Sequence, residues 1–65
     1  MVNTNKLRGL IVENGLSQGD VAKAIGITPK AFYVKMKNGV FKTNEAEKMI
    51  KLLHIKNPAE IFFAK

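Results

Sequence analysis

"LSQGDVAKAIGITPKAFYVKMKNG", residues 16–39, contains two helix starts of the same design separated by one short turn. Ser17 reads as an N-cap with Asp20 three residues on, and Leu16 and Val21 hold the two positions of a hydrophobic staple. Thr28 repeats the device. Pro29 fills the first helical position, where a missing N–H leaves no bond unmade, and Ile27 can staple to Phe32. Between the two starts, Ile25-Gly26 stops the first helix and the glycine permits a sharp reversal. The spacing predicts two helices locked together by Val21, Ile25, Ile27 and Phe32, which is a helix-turn-helix.

The second of these helices, at about residues 29–37, carries an outward face that the core does not explain. Helical winding puts Phe32 and Met36 on one side and Lys30, Val34 and Lys37 on the other, with Tyr33 at the edge. Charge points to the same place. Of the net +6, residues 1–27 hold +1, residues 43–65 hold +1, and residues 28–42 hold +4. Lys30, Lys35, Lys37 and Lys42 meet no acid within that segment, so a polyanion is expected to engage it. Lysines on a helix face are usually only a solvated surface, but their acid-free clustering beside a stapled turn shifts the weighting toward a binding role. Val34 is open to three readings: a thymine-methyl contact, a protein contact, or a single exposed valine. Tyr33 can equally cover the core edge, and Gln18 can be a simple polar first-turn residue.

Outward from this pair, the remaining periodicities are also helical, and no strand-like alternation, repeat or linker interrupts them. A first helix is expected over about Asn5 to Asn14, with Leu7, Leu10 and Ile11 inward and Asn14-Gly15 as its stop. A fourth begins after Thr43, with Glu45 and Glu47 near its positive end and Ala46, Met49, Ile50 and Leu53 inward. A fifth follows Asn57 as cap and Pro58 as first residue, with Glu60 reaching back to complete a capping box before Ile61 and Phe62 enter the core. Phe62 and Phe63 stand about 100° apart on that helix, so only one can be inside, and Phe63 is expected outside. The fold class is all-α: a compact bundle of about five short helices containing a helix-turn-helix.

Composition narrows the function. The 65 residues suit one domain, 1–65, with a modest core. With no cysteine and one histidine, neither a disulfide nor a zinc or iron constellation is expected, and no cofactor is implied. No signal-peptide run and no apolar stretch of about eighteen residues occurs, so a cytoplasmic, membrane-free protein is expected. His54, near the end of the fourth helix, suits the helix dipole and reads as structural, while Ser17 and Thr28 are caps before they are nucleophiles. Neither catalysis nor a small-molecule substrate is expected.

The order "LSQGDVAKAIGIT", the following helix, the Asn38-Gly39 turn and the "KNPAEIFF" ending together resemble the lambda-repressor-like family of phage repressors and Cro-type DNA-binding proteins, over nearly the whole chain. The resemblance implies base contacts from Thr28, Pro29, Lys30 and Val34, with Tyr33 nearby. It implies backbone contacts from Gln18, at the positive end of its helix, and from Asn38 and Lys42; Lys37, on the same face as Lys30, joins them. The chain departs from the family pattern twice. Ile11 and Met36 stand where relatives often place a bridging Arg–Glu pair, and Pro29-Lys30 replaces the glutamines that commonly open the recognition helix, favouring a lysine–guanine contact over a bidentate adenine contact.

The expected function is a sequence-specific DNA-binding transcriptional regulator, a Cro-like phage or prophage repressor that occupies double-stranded operator DNA. One recognition helix reads few base pairs, so a weak homodimer anchored by Phe63 is expected. The alternative is a protein-binding module on the same fold, an antirepressor or antitoxin. Basic adhesion to a membrane is disfavoured, because no strongly apolar face opposes the lysines.

Overall fold

Both helix starts in residues 16–39 form around their caps. The Ser17 hydroxyl accepts from the Asp20 N–H at 3.1 Å and the Asp20 carboxylate accepts from the Ser17 N–H at 2.8 Å. The Ser17 N–H and hydroxyl hold the Asp20 carboxyl below its ordinary value. Thr28 Oγ1 accepts from the Ala31 N–H at 3.1 Å, directly ahead of Pro29 in the first turn. In the computed structural model, which describes residues 2–63, these become α2 (Gln18–Ile25) and α3 (Pro29–Asn38). They are flanked by α1 (Thr4–Glu13), α4 (Thr43–Leu52) and α5 (Pro58–Phe62), and the described residues contain no strand. The chain is all-helical.

Three local expectations need correction. Helix α1 starts at Thr4 rather than Asn5, because the Asn3 side chain accepts from the Lys6 N–H at 3.2 Å and caps it. Helix α4 includes Thr43, with Lys42 at the cap position, since Glu45 Oε1 accepts the Lys42 N–H at 2.9 Å. Asn57 does occupy the cap of α5, but no capping box forms there. Glu60 turns instead to Lys6 Nζ at 3.3 Å, an exposed pair that joins α5 to α1.

The core draws on every helix. Leu7 and Ile11 from α1, Val21, Ala22 and Ile25 from α2, Phe32 and Met36 from α3, and Met49 from α4 are buried together with Leu53, Ile55, Ile61 and Phe62. Ile11 and Met36 lie in this one apolar cluster, so no buried charge is needed at either position. Helix α2 packs against α3 and α4, while α1 closes over α2 and α5. The N-terminal segment is tied down by backbone bonds from Val2 N–H to the Gly39 carbonyl at 3.0 Å and from Asn3 N–H to the Ile61 carbonyl.

Two of the helix ends contrast in a useful way. Gly26 closes α2 at φ 82°, and an added Cβ would meet nothing within 4 Å. Glycine is favoured there by backbone conformation alone. His54 takes the same left-handed role after α4 at φ 53°, followed by the Ile55 N–H returning to the Ile50 carbonyl at 3.0 Å. The histidine thus lies just past the helix, not in its last turn, and its side chain is exposed. Relief of the left-handed Cβ clash outweighs the extra chain entropy of glycine, so His54→Gly is expected to stabilise the fold by about 0.5–1 kcal/mol. A thermal melt checks this: Tm should rise by about 2–8 °C, and an unchanged or lower Tm would contradict it.

Candidate nucleic-acid interface

At about 100° per residue along α3, Tyr33, Lys37, Lys30 and Val34 fall in that order within an arc of about 100°. The arc is exposed: Tyr33 is 69% accessible and Val34 51%, and both lysines are open to solvent. Phe32 and Met36 point the opposite way, at 1% and 3%, and fix the rotation of α3 about its own axis. Lys30 lies in the first turn behind the exposed Thr28 and Pro29, so these three form the N-terminal tip of the face. Asn38 is exposed at the far end of α3, toward the edge of the arc.

Lys35 does not belong to this face. It sits about 140° from Lys30, toward the buried side, and its Nζ lies 3.1 Å from Glu45 Oε1. Glu45 is only 5% exposed although it is an acid. Burial pushes its carboxyl pKa up, but the Lys42 N–H and the Lys35 ammonium more than offset that, and the net position is below the ordinary glutamate value. One carboxylate therefore grips α3 through Lys35 and the start of α4 through Lys42. The expectation of four lysines without an acid partner is corrected to three: Lys30, Lys37 and Lys42 are exposed and have no ion-pair partner among the described residues. Helical winding alone could have separated Lys35 from the others, since it is the one lysine of α3 off the outward arc.

The sign of the Glu45 shift sets a pH dependence. A carboxylate whose folded pKa is depressed stabilises the fold above its unfolded pKa, near 4, and that contribution disappears as pH falls through the lower folded value. Glu45→Gln is expected to lose about 1–3 kcal/mol at pH 7, and to lose less than the wild type between pH 5 and pH 3. Urea denaturation at pH 7, 5 and 3 tests it. Parallel pH profiles for the two proteins would rule out Glu45 as a source of the acid sensitivity.

The other expected site residues lie apart from the arc. Gln18 opens α2, half-buried, and its Oε1 is enclosed with no donor in reach. Burial of the oxygen concerns only the acceptor end of the amide; the donors at this position are Nε2 and the α2 N-terminal N–H groups. Lys42 stands at the cap of α4 on the α3–α4 connection. Phe63 follows α5, 77% exposed, while Phe62 beside it is 7% exposed, as their angular separation requires. Phe63 borders an apolar groove of about 250 Å³ with Val2, Phe41, Ala46, Ile50 and Phe62. A larger groove of about 720 Å³ runs between α1 and the α4–α5 connection and includes no residue of α3.

Among the described residues no cluster of three metal-ligating side chains occurs, and no helix is long and apolar enough to cross a membrane. No family model, curated protein or solved structure matches the chain.

Proposed function

We propose that this chain is a sequence-specific DNA-binding regulator, a cytoplasmic repressor of the lambda-repressor-like, Cro type that acts by occupying duplex operator DNA. The observation that carries the reading is the outward arc of α3: Lys30 and Lys37 run along its middle, Tyr33 and Val34 flank them, and the ion-paired Lys35 is turned away. In the helix-turn-helix arrangement such a face enters the major groove, with phosphates held by Lys37 and Lys42 and by the N-terminus of α2 at Gln18. Lys30 would donate to guanine O6 and N7. The chain contributes occupancy and no chemistry of its own.

A second copy completes this reading. Phe63 beside the apolar groove is both a projecting ring and part of a recess, a combination suited to a two-fold contact. The small area involved favours a dimer that forms mainly on DNA, with half-sites about 10 bp apart.

The exposed Tyr33, Val34 and Val40 favour one rival, a protein-binding module that masks another regulator. A competition titration with labelled duplex at two salt concentrations, starting with the promoter region beside its own gene, separates the two. Salt-sensitive binding supports the repressor. Within it, Lys30→Ala should relax preference at one base pair by about 1–3 kcal/mol, whereas Lys37→Ala should weaken all sequences alike. An unchanged preference in Lys30→Ala would remove its base-reading role.

A further inference from the structure

We propose that α3 reads the 5-methyl group of a pyrimidine through Val34 and Tyr33, so that thymine and 5-methylcytosine are equivalent to it at one position of its site. This rests on the duplex-binding reading and states what one base pair of that site must contain. The argument begins from the arrangement within the arc. Surfaces that only track phosphates need cations and hydrogen-bond donors, yet Val34 in this arc is wholly apolar and Tyr33 beside it is an apolar ring up to its hydroxyl. Val34 gives no interior packing to match its 51% exposure, and Tyr33 projects further still.

Against the edges of base pairs in the major groove, the one sizeable apolar counterpart for an aliphatic side chain is the C5 methyl of thymine; cytosine offers only a C5–H at that position, and the N7, O6, O4 and amino groups are donors or acceptors. Valine placed against those would strip their water without replacing the hydrogen bonds. Methylation of cytosine at C5 puts the same group at the same ring position, while unmethylated cytosine offers no methyl. Val34 therefore discriminates by methyl, not by base identity. Lys30 precedes it by one turn, about 6 Å along the axis, so the guanine it reads lies within one or two base-pair steps of the methylated pyrimidine.

The test uses the full chain and a duplex selected from a random pool. Each pyrimidine of the selected site is then supplied in turn as thymine, uracil, cytosine or 5-methylcytosine, and affinities are compared for wild type and Val34→Ala. At one position per half-site, thymine should bind about fourfold tighter than uracil, and 5-methylcytosine tighter than cytosine by the same factor. Both ratios should fall in Val34→Ala and reach about one when Tyr33→Ala is added, with the salt dependence unchanged in both. A selected consensus with equal affinity for thymine and uracil at every position would overturn this proposal and leave duplex binding standing. A pool with no consensus and no salt-sensitive binding would overturn both.

Discussion

Raising salt from 50 to 200 mM is expected to weaken duplex binding by about 12-fold for each chain bound, and by about 150-fold where two chains share one site. The figure follows from the lysines left free of acids. Each cation that neutralises a phosphate releases counterions and adds about 0.9 to the slope of log K against log salt. Lys30, Lys37 and Lys42 are exposed and without an ion-pair partner among the described residues; with Lys30 assigned to a base and Lys37 and Lys42 to phosphates, the slope per chain should be about −1.8. Lys35 supplies an internal control. Its ammonium is 3.1 Å from the buried Glu45 carboxylate and off the α3 arc, so Lys35→Gln should destabilise the fold but leave the slope intact. Lys37→Ala should reduce the slope by about 0.9. Titrations at four salt concentrations measure all of this; a flat response in the wild type would end the DNA reading, and a slope lowered equally by Lys35→Gln would show that the ion pair opens on DNA.

What could be read from the sequence, and what could not, divides along the range of the interactions. Ser17, Asp20, Thr28 and Pro29 act within four residues, so their spacing specifies the two central helix starts directly. Apolar periodicity likewise places Leu7, Ile11, Phe32, Met36 and Met49 inside. The exposure of Phe63 followed from helix geometry alone. Interactions set by the tertiary fold were not legible in that way. Glu60 has a local role available at the start of α5, but Lys6, 54 residues away in sequence, claims its carboxylate instead. Glu45 looks like an ordinary first-turn acid, and only the folding of α3 against the start of α4 buries it beside Lys35. His54 takes a backbone conformation that favours glycine, because the Ile55 N–H must return to Ile50 wherever α4 ends. The α3 face was visible in outline, with Lys35 already off it by winding; the pairing of Lys35 with Glu45 was not, because a lysine's partner depends on neighbours that spacing does not reveal.

Phe32→Ala is expected to cost the fold about 3–5 kcal/mol, whereas Phe63→Ser should leave its stability within about 0.5 kcal/mol of wild type. Both remove a phenyl ring. Phe32 is 1% exposed, its ring centroid lies 5.5 Å from that of Phe41, and it stands in the core with Val21 and Ile25 of α2. Truncating such a residue typically costs about 3–5 kcal/mol, through lost burial and the cavity left behind. A domain of this size has on the order of 3–10 kcal/mol in total, so the truncation removes between about a third and all of its stability. Phe32→Leu, which keeps most of the volume, should remain folded with a lowered Tm and so shows that the alanine result reflects volume. Urea denaturation followed by circular dichroism decides the matter: a cooperative transition in Phe32→Ala within 1 kcal/mol of wild type would mean that α2 and α3 are not held through this ring. Phe63 is 77% exposed, so its loss should be silent in that measurement and appear elsewhere. If its ring joins two copies, Phe63→Ser binds a two-site operator fragment without cooperativity while retaining the wild-type affinity for a single half-site. Equal sedimentation mass and equal cooperativity in both proteins would place the dimer contact, if one forms, on another surface.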